Sequence, residues 1–336
     1  MTEVRWGILG AAKFAREFMG PALTLAPGGH IVALATSDPA KAEPFRAFAP
    51  GLRAHDSFDA LLADPGIDAV YIPLPNALHV EWSLKAMKAG KHVLCEKPMA
   101  MQASDFDQLI AARDAAGVLA AEAFMIVHHP QWQRARQLLA EGAVGRLWRI
   151  DAAFSFNNRD PGNIRNRADM GGGGLRDIGV YVMGGARFAT GLEATDVQAR
   201  IQWDDGVDAY ATITAKFGDA DYSAFTSIRM HPRQEVTFHG EAGMLRLPVP
   251  FNARVFGEAR LELHRGMETI VERWPAVNHY ELQAAAFNRA VTAGEAYPCP
   301  LEFSRGTQAM MDAAFRSEEH SLNSSHESVS RMPSSA

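Results

Sequence analysis

The sequence predicts an α/β protein in two parts: an N-terminal doubly wound parallel sheet, then an α/β domain built on a large open antiparallel sheet. Three observations carry this. Apolar strand-like runs alternate with helical segments four times before residue 98, the pattern of a parallel sheet with crossover helices. Between residues 195 and 273 seven strand-like segments follow one another without intervening helices, as antiparallel neighbours do. The run His92-Val93-Leu94-Cys95 stops at Glu96-Lys97-Pro98, which puts charged side chains at the carboxyl end of a buried strand. The chain's 336 residues exceed one ordinary core and suit two domains.

Composition narrows the function. Apolar residues make up 47% and charged residues 21%, an ordinary globular balance. A net charge of −6 gives no reason to expect nucleic acid or an anionic membrane as partner. Two cysteines, Cys95 and Cys299, form no disulfide framework and fit a reducing cytoplasm. No apolar run is long enough to span a membrane, the start moves straight into a strand without a signal-peptide pattern, and no metal site is expected.

Val4 to Leu9 reads as the first strand. It runs into Gly10-Ala11-Ala12-Lys13-Phe14-Ala15, a glycine-poor form of the dinucleotide fingerprint. Gly10 permits the tight turn, Ala12 is small enough for a pyrophosphate to approach, and Ala15 lets the next helix pack closely. A plain strand–turn–helix would look similar. Ile31 to Ala35 is a second buried strand, and Thr36, Ser37 and Asp38 follow 26 to 28 residues after Gly10. A carboxylate near this distance takes the ribose 2′-hydroxyl of NAD. Small hydroxyls at Thr36 and Ser37, with Lys41 behind them, instead leave room for a 2′-phosphate, so NADP is preferred over NAD, with Asp38 arguing the other way. Residues 40–49 read as helical, and Ser57 caps the next helix. The strand 68–72 ends in Pro73-Leu74-Pro75-Asn76, with His79 opening a helix; Pro75, Asn76 and His79 face the ligand edge of the sheet, though a histidine at a helix start is as often structural. Glu96 and Lys97 close the next strand at the same edge, where a lysine can hold a substrate hydroxyl. Helix 104–115, with Ser104 as its cap, and strand 118–124 complete this half.

In the second half, 132–140 is a helix and 145–156 a long strand. Segments 195–203, 208–217, 221–229, 233–239, 242–247, 258–264 and 267–273 then form the sheet. Its second face needs cover, which predicts a homodimer or homotetramer. Ahead of the sheet, Asn163 to Tyr181 holds four consecutive glycines, Gly171 to Gly174, which let a loop come close to something. Asp177 and Tyr181, four apart, share a helix face. Helices are expected at 278–293 and 304–316. Residues 317–336 hold eight serines and almost no aliphatic periodicity, and are expected to be disordered or a non-native tail from read-through or a frame error.

The stretches Trp6-Gly7-Ile8-Leu9-Gly10-Ala11-Ala12, Ala89 to Pro98, Glu122-Ala123-Phe124-Met125 and His129-Pro130-Gln131 resemble the glucose–fructose oxidoreductase / inositol dehydrogenase (Gfo/Idh/MocA) family, over about residues 3 to 316. The resemblance implies a Rossmann domain over 1–123, a substrate and oligomerisation domain over 124–316 whose late helices return to the first, NAD(P), and a sugar, polyol or cyclic diol substrate. Many members carry Asp and His where this chain has Asp177 and Tyr181, in a glycine-rich helix start that faces the nicotinamide. Tyrosine there resembles the branch with dimeric dihydrodiol dehydrogenase and the aldose dehydrogenases. On this resemblance Lys97, Asp177 and Tyr181 are the catalytic candidates: an ammonium that lowers the phenol's pKa, a phenol that exchanges the proton, and a carboxylate that orients the lysine or a sugar hydroxyl. Phe154, Arg165, Arg176 and Tyr280 are candidates for the substrate wall. A non-catalytic dinucleotide sensor on the same fold is the rival reading, which would have no need of that trio.

Overall fold

A computed structural model of the chain describes residues 2–330, with side chains to Glu318. Six parallel strands form the first sheet, in the order β3-β2-β1-β4-β5-β6: β1 (Val4–Leu9), β2 (Gly29–Ala35), β3 (Arg53–His55), β4 (Ala69–Ile72), β5 (His92–Cys95) and β6 (Ala120–Glu122). This is the order of dinucleotide-binding sheets, with the switch point between β1 and β4. The strands are nearly all apolar because both faces are covered. The covering helices are α1 (Gly20–Leu25), α2 (Phe58–Ala63), α3 (His79–Lys88) and α4 (Asp105–Ala116). Ser57 caps α2 by accepting the Ala60 amide at 3.2 Å, whereas Ser104 makes no cap bond to α4. Two differences from expectation are local. Residues 40–49 form only short 3₁₀ turns, with Pro39 and Pro44 setting their starts. The short strand β3 had no apolar run to announce it.

After α5 (Pro130–Ala140), eight strands make the second sheet: β7 (Leu147–Asn157), β8 (Ala194–Asp204), β9 (Val207–Phe217), β10 (Ala220–Ser227), β11 (Arg229–Gly240), β12 (Met244–Leu247), β13 (Ala259–Arg265) and β14 (Glu268–Trp274). Their order is β14-β13-β12-β11-β7-β10-β9-β8. The sheet is antiparallel except where β7, arriving early in the chain, is inserted between β10 and β11 and pairs in parallel with β10. On its inner face Ile150, Ala152 and Phe154 of β7 pack against α6 (Val180–Thr190). Along the other set of positions Arg149 pairs with Asp151 at 2.6 Å and Arg246 with Glu235 at 2.6 Å, and the rings of Tyr210 and Phe225 lie 6.2 Å apart.

Two late helices tie the halves together. In α7 (His279–Ala293), Asn288 accepts the Trp6 indole N–H at 2.9 Å and donates to the Pro27 carbonyl at 2.9 Å, while Phe287 packs on Trp6. Helix α8 (Leu301–Ser330) crosses α4, where Glu302 pairs with Arg113 and Asp312 accepts the Ala103 amide at 2.7 Å. Buried Arg187 of α6 donates to the Phe303 carbonyl and to Thr307, and pairs with Glu193. Of the segment expected to be a disordered or non-native tail, residues 317–330 continue α8 and 331–336 lie outside the described residues.

Behind the junction sits a cluster of buried histidines. Burial pushes His128 down to about 3, His129 to about 4 and His279 to about 3. Each favours the neutral ring in the fold. Their contribution to stability is therefore full above the unfolded value near 6.5 and is lost as pH falls toward 4. Thermal denaturation followed from pH 7.5 to 4 should show a falling midpoint, with a stability slope approaching about 1.4 kcal/mol per pH unit for each histidine. A midpoint independent of pH over that range would contradict the burial of these rings.

Candidate active site

The first half of the site is the turn after β5. It passes through Glu96, Lys97 and Pro98 with a cis Lys97–Pro98 peptide. Glu96 accepts the Tyr71 hydroxyl at 2.6 Å and the Lys97 amide at 3.3 Å; burial raises its carboxyl above the usual range, opposed by the Lys97 charge. Glu122, behind the turn, accepts the Met99 amide at 2.8 Å. His79, fully buried, sets one ring nitrogen 2.8 Å from the Pro98 carbonyl and the other 2.7 Å from the Leu74 carbonyl. Burial lowers the ring's pKa and favours the neutral form, whose single N–H donates to one of these two carbonyls, so that His79 packs as a brace between the β4 and β5 loops.

The second half comes from residues 163–181. Asn163 caps a turn carrying Arg165, whose amide it accepts at 3.1 Å. The amides of Gly172 and Gly173 donate to the carbonyls of Arg167 and Arg165 at 2.9 Å each. A Cβ on Gly172 would sit 2.6 Å from the Ile164 carbonyl oxygen, so glycine is required for the loop to fold onto its own turn. Asn76 reaches from the first half and donates to the Gly171 carbonyl at 2.9 Å. The close approach that the glycines permit is therefore to protein. A π-helical turn, Leu175–Gly179, then leads into α6, the kind of helix irregularity often found at functional sites.

The halves meet at Asp177. Lys97 Nζ donates to Asp177 Oδ1 at 2.8 Å and to the Asp177 carbonyl at 2.9 Å. Arg165 Nε donates to Oδ2 at 2.5 Å. Burial alone would raise this carboxyl, but the charges of Arg165 and Lys97 outweigh it and hold Asp177 well below the usual carboxylate range. Tyr181 is buried among Phe124, Phe154 and Phe251, at centroid distances of 5.8, 5.5 and 5.5 Å. Lys97 Nζ lies 5.0 Å from its ring centroid, and its hydroxyl points to Met125 Sδ at 3.5 Å. One expectation is corrected here. The phenol's pKa is not lowered: burial raises it well above its ordinary value, with the charges of Glu96 and Asp177 adding to the effect, while the ammonium's hydrogen bonds go to Asp177.

Around this contact opens a cavity of about 700 Å³. Ala12, Lys13, Phe14, Pro75, Asn76, His79, Glu96 and Lys97 line it from the first half, and Phe154, Arg165, Asp177, Tyr181 and Tyr280 from the rest. Gly10 and Ala11 follow β1 directly, ahead of these residues. Gly10 has φ +101° and its amide donates to the Ala35 carbonyl at 3.0 Å; a Cβ there would meet Leu74 at 3.0 Å. This small-residue cradle at the switch point fits a dinucleotide pyrophosphate. At the end of β2, Thr36 is buried while Ser37 and Lys41 are exposed, and the Asp38 carboxylate accepts the Ala40 amide at 3.0 Å as a cap. Arg176 does not join the pocket wall: its guanidinium lies 5.1 Å over the Phe315 ring of α8. Residues not singled out from sequence also line the cavity, among them Phe18, Phe156, Asn252 and Val255. Phe156, at the end of the first long strand, was the one with a positional signal.

A dinucleotide cradle and a buried lysine–aspartate pair beside a phenol define a nicotinamide-dependent oxidoreductase. The family model described as "Oxidoreductase family, NAD-binding Rossmann fold" matches residues 4–124, and that of the GFO/IDH/MocA C-terminal domain matches residues 132–246. The chain belongs to this family. It is 35% identical to a dTDP-3,4-didehydro-2,6-dideoxy-alpha-D-glucose 3-reductase of Streptomyces antibioticus, over 78% of this chain and 81% of the relative. It is 32% identical to a D-xylose 1-dehydrogenase (NADP(+)) of Haloferax volcanii, over 94% and 97%. A solved 3-ketoreductase from Actinomadura kijaniata, in complex with NADP and TDP-benzene, superposes with TM-score 0.86 at 30% identity, covering 94% of this chain and 98% of that one. Variants of that enzyme have been solved at a lysine and at a tyrosine 84 positions apart, the separation of Lys97 and Tyr181 here.

Proposed function

We propose that this chain is an NADP-preferring sugar oxidoreductase that exchanges hydride at a ring or anomeric carbon, and that its site is best suited to carbonyl reduction. The observation that carries the reading is the placement of Tyr181, whose ring lies 5.0 Å from the Lys97 ammonium at the wall of the cavity. Burial keeps the phenol in its neutral, proton-bearing form, the form that carbonyl reduction needs. When bound, the reduced nicotinamide supplies the hydride. Tyr181 gives its hydroxyl proton to the carbonyl oxygen, which becomes the product hydroxyl. Lys97, held by Asp177, donates a charged hydrogen bond to the same oxygen and stabilises the negative charge that develops on it. Arg165 fixes Asp177 and presents its remaining N–H groups to the cavity, where sugar hydroxyls offer acceptors. Phe154 and Tyr280 supply apolar walls for a sugar face.

The preference for NADP rests on Asp38. Its carboxylate is committed to the Ala40 amide, which leaves Ser37 and Lys41 free to meet a 2′-phosphate. The related dTDP-sugar reductase, the NADP(+)-dependent xylose dehydrogenase and the NADP-bound 3-ketoreductase support the sugar class and the same dinucleotide.

A substrate screen of keto-sugars and aldoses, free and nucleotide-linked, run with each dinucleotide and read by nicotinamide absorbance, tests the reading. Keto-sugar reduction should dominate, with a higher kcat/KM for NADPH than for NADH. Tyr181→Phe should lower kcat by roughly 10²-fold or more, the scale of general acid–base catalysis, with dinucleotide affinity unchanged. Near wild-type turnover in Tyr181→Phe would make the tyrosine a packing residue, and a tenfold preference for NADH would return Asp38 to the ribose.

We further propose a homodimer, or a tetramer built from such dimers, joined through the face of the second sheet that carries Tyr210 and Phe225. Light scattering at micromolar concentration should report at least twice the chain mass; a monomer would leave that face to solvent.

A further inference from the structure

We propose that Asp208, at the start of β9, is a positioning residue for the reaction: its ionised carboxylate anchors the first turn of the helix that carries Asp177 and Tyr181, and so sets both against Lys97. The inference rests on the catalytic reading of that trio. Asp208 is 2% exposed and does not line the cavity. Its Oδ2 accepts the Leu175 amide, and the Gly174 amide lies close enough to favour the charged form. The fit is close enough to dictate sequence. A Cβ on Gly173, which has φ +116°, would fall 1.9 Å from Asp208 Oδ1, so only glycine can stand there. The glycine loop is thus gripped from three sides: by Asn76 at Gly171, by the turn 165–167 at Gly172 and Gly173, and by Asp208 at Leu175. The first two grips are neutral. The third is a carboxylate, and it lies two residues from Asp177.

The grip therefore depends on protonation. Burial pushes the Asp208 carboxyl up to about 7, against the pull of the amides and of Arg176. Arg176 is the charged side chain that acts on it, from the helix; from α8, Asp312 and Phe315 act on Arg176. The remaining groups against Asp208 are the amides of Gly174, Leu175 and its own residue, with the Ile228 side chain beside Gly174. Above about 7 the carboxylate accepts the Leu175 amide. Below it, the added proton removes acceptor capacity, and the helix start that orients Asp177 loosens.

Two measurements test this, one of them independent of any substrate. Hydrogen exchange of peptides spanning residues 173–178, corrected for the intrinsic pH dependence of exchange, should show protection that falls with a midpoint near 7 as pH is lowered. In turnover, kcat should carry an acidic limb at the same pH. Asp208→Asn, which cannot ionise, should lower kcat about 10- to 100-fold, the scale of a misplaced catalytic group, with KM changed little and the limb gone. Arg176→Gln removes an opposing charge and should move the limb to higher pH. Constant protection between pH 6 and 8, or an Asp208→Asn variant that keeps both kcat and the limb, overturns the proposal. If the chain turns over no sugar with either dinucleotide, the catalytic reading fails and the exchange experiment alone decides whether Asp208 grips the helix.

Discussion

The ion pair between Lys97 and Asp177 is the constraint on which the site depends. Its side chains are only 11% and 13% exposed, so both charges have lost most of their water. Such a pair is stable only where geometry is good and the remaining hydrogen-bonding capacity is filled. Here Arg165 fills the second carboxylate oxygen, and the Asp177 carbonyl takes a further proton of the ammonium. One partner ends a strand of the first sheet; the other starts a helix that belongs to the second half. The contact exists only when both are in place.

Much of the surrounding structure serves that placement. His79 and Glu122 brace the Lys97 turn from behind, while Asn76 crosses to Gly171. Helices α7 and α8 return to the first sheet and close the junction with Trp6–Asn288, Arg113–Glu302 and Ala103–Asp312 contacts. Tyr181 is then left in an apolar wall with its phenol protonated and its ring beside the ammonium. In the proposed mechanism two roles separate: the lysine supplies charge and is held by its partner, and the tyrosine supplies the proton.

The strands and their edge were legible because each signal was local. Apolar runs, turn residues and Pro98 fix where strands stop, and a strand's carboxyl end is where a parallel sheet binds ligands. The dinucleotide cradle, the Lys97 turn and the Asp177–Tyr181 helix were all found this way or through family resemblance. What escaped was pairing over long sequence distance. Nothing local indicates that Asp208 meets Gly173, that β7 is inserted beside β10, or that Arg176 turns toward Phe315. The state of Tyr181 escaped for the same reason: burial among Phe124, Phe154 and Phe251 raises its pKa, and that packing is visible only once all four rings are placed.

If the pair acts as one unit, its members cannot contribute independently. A double-mutant cycle on kcat with Lys97→Met and Asp177→Asn, in the reductive direction, tests this most directly. Strong non-additivity is expected: the double variant should be about as slow as the slower single variant. Losses that simply multiply would mean that Lys97 and Asp177 act separately, and that the contact joining the two halves is not what organises the site.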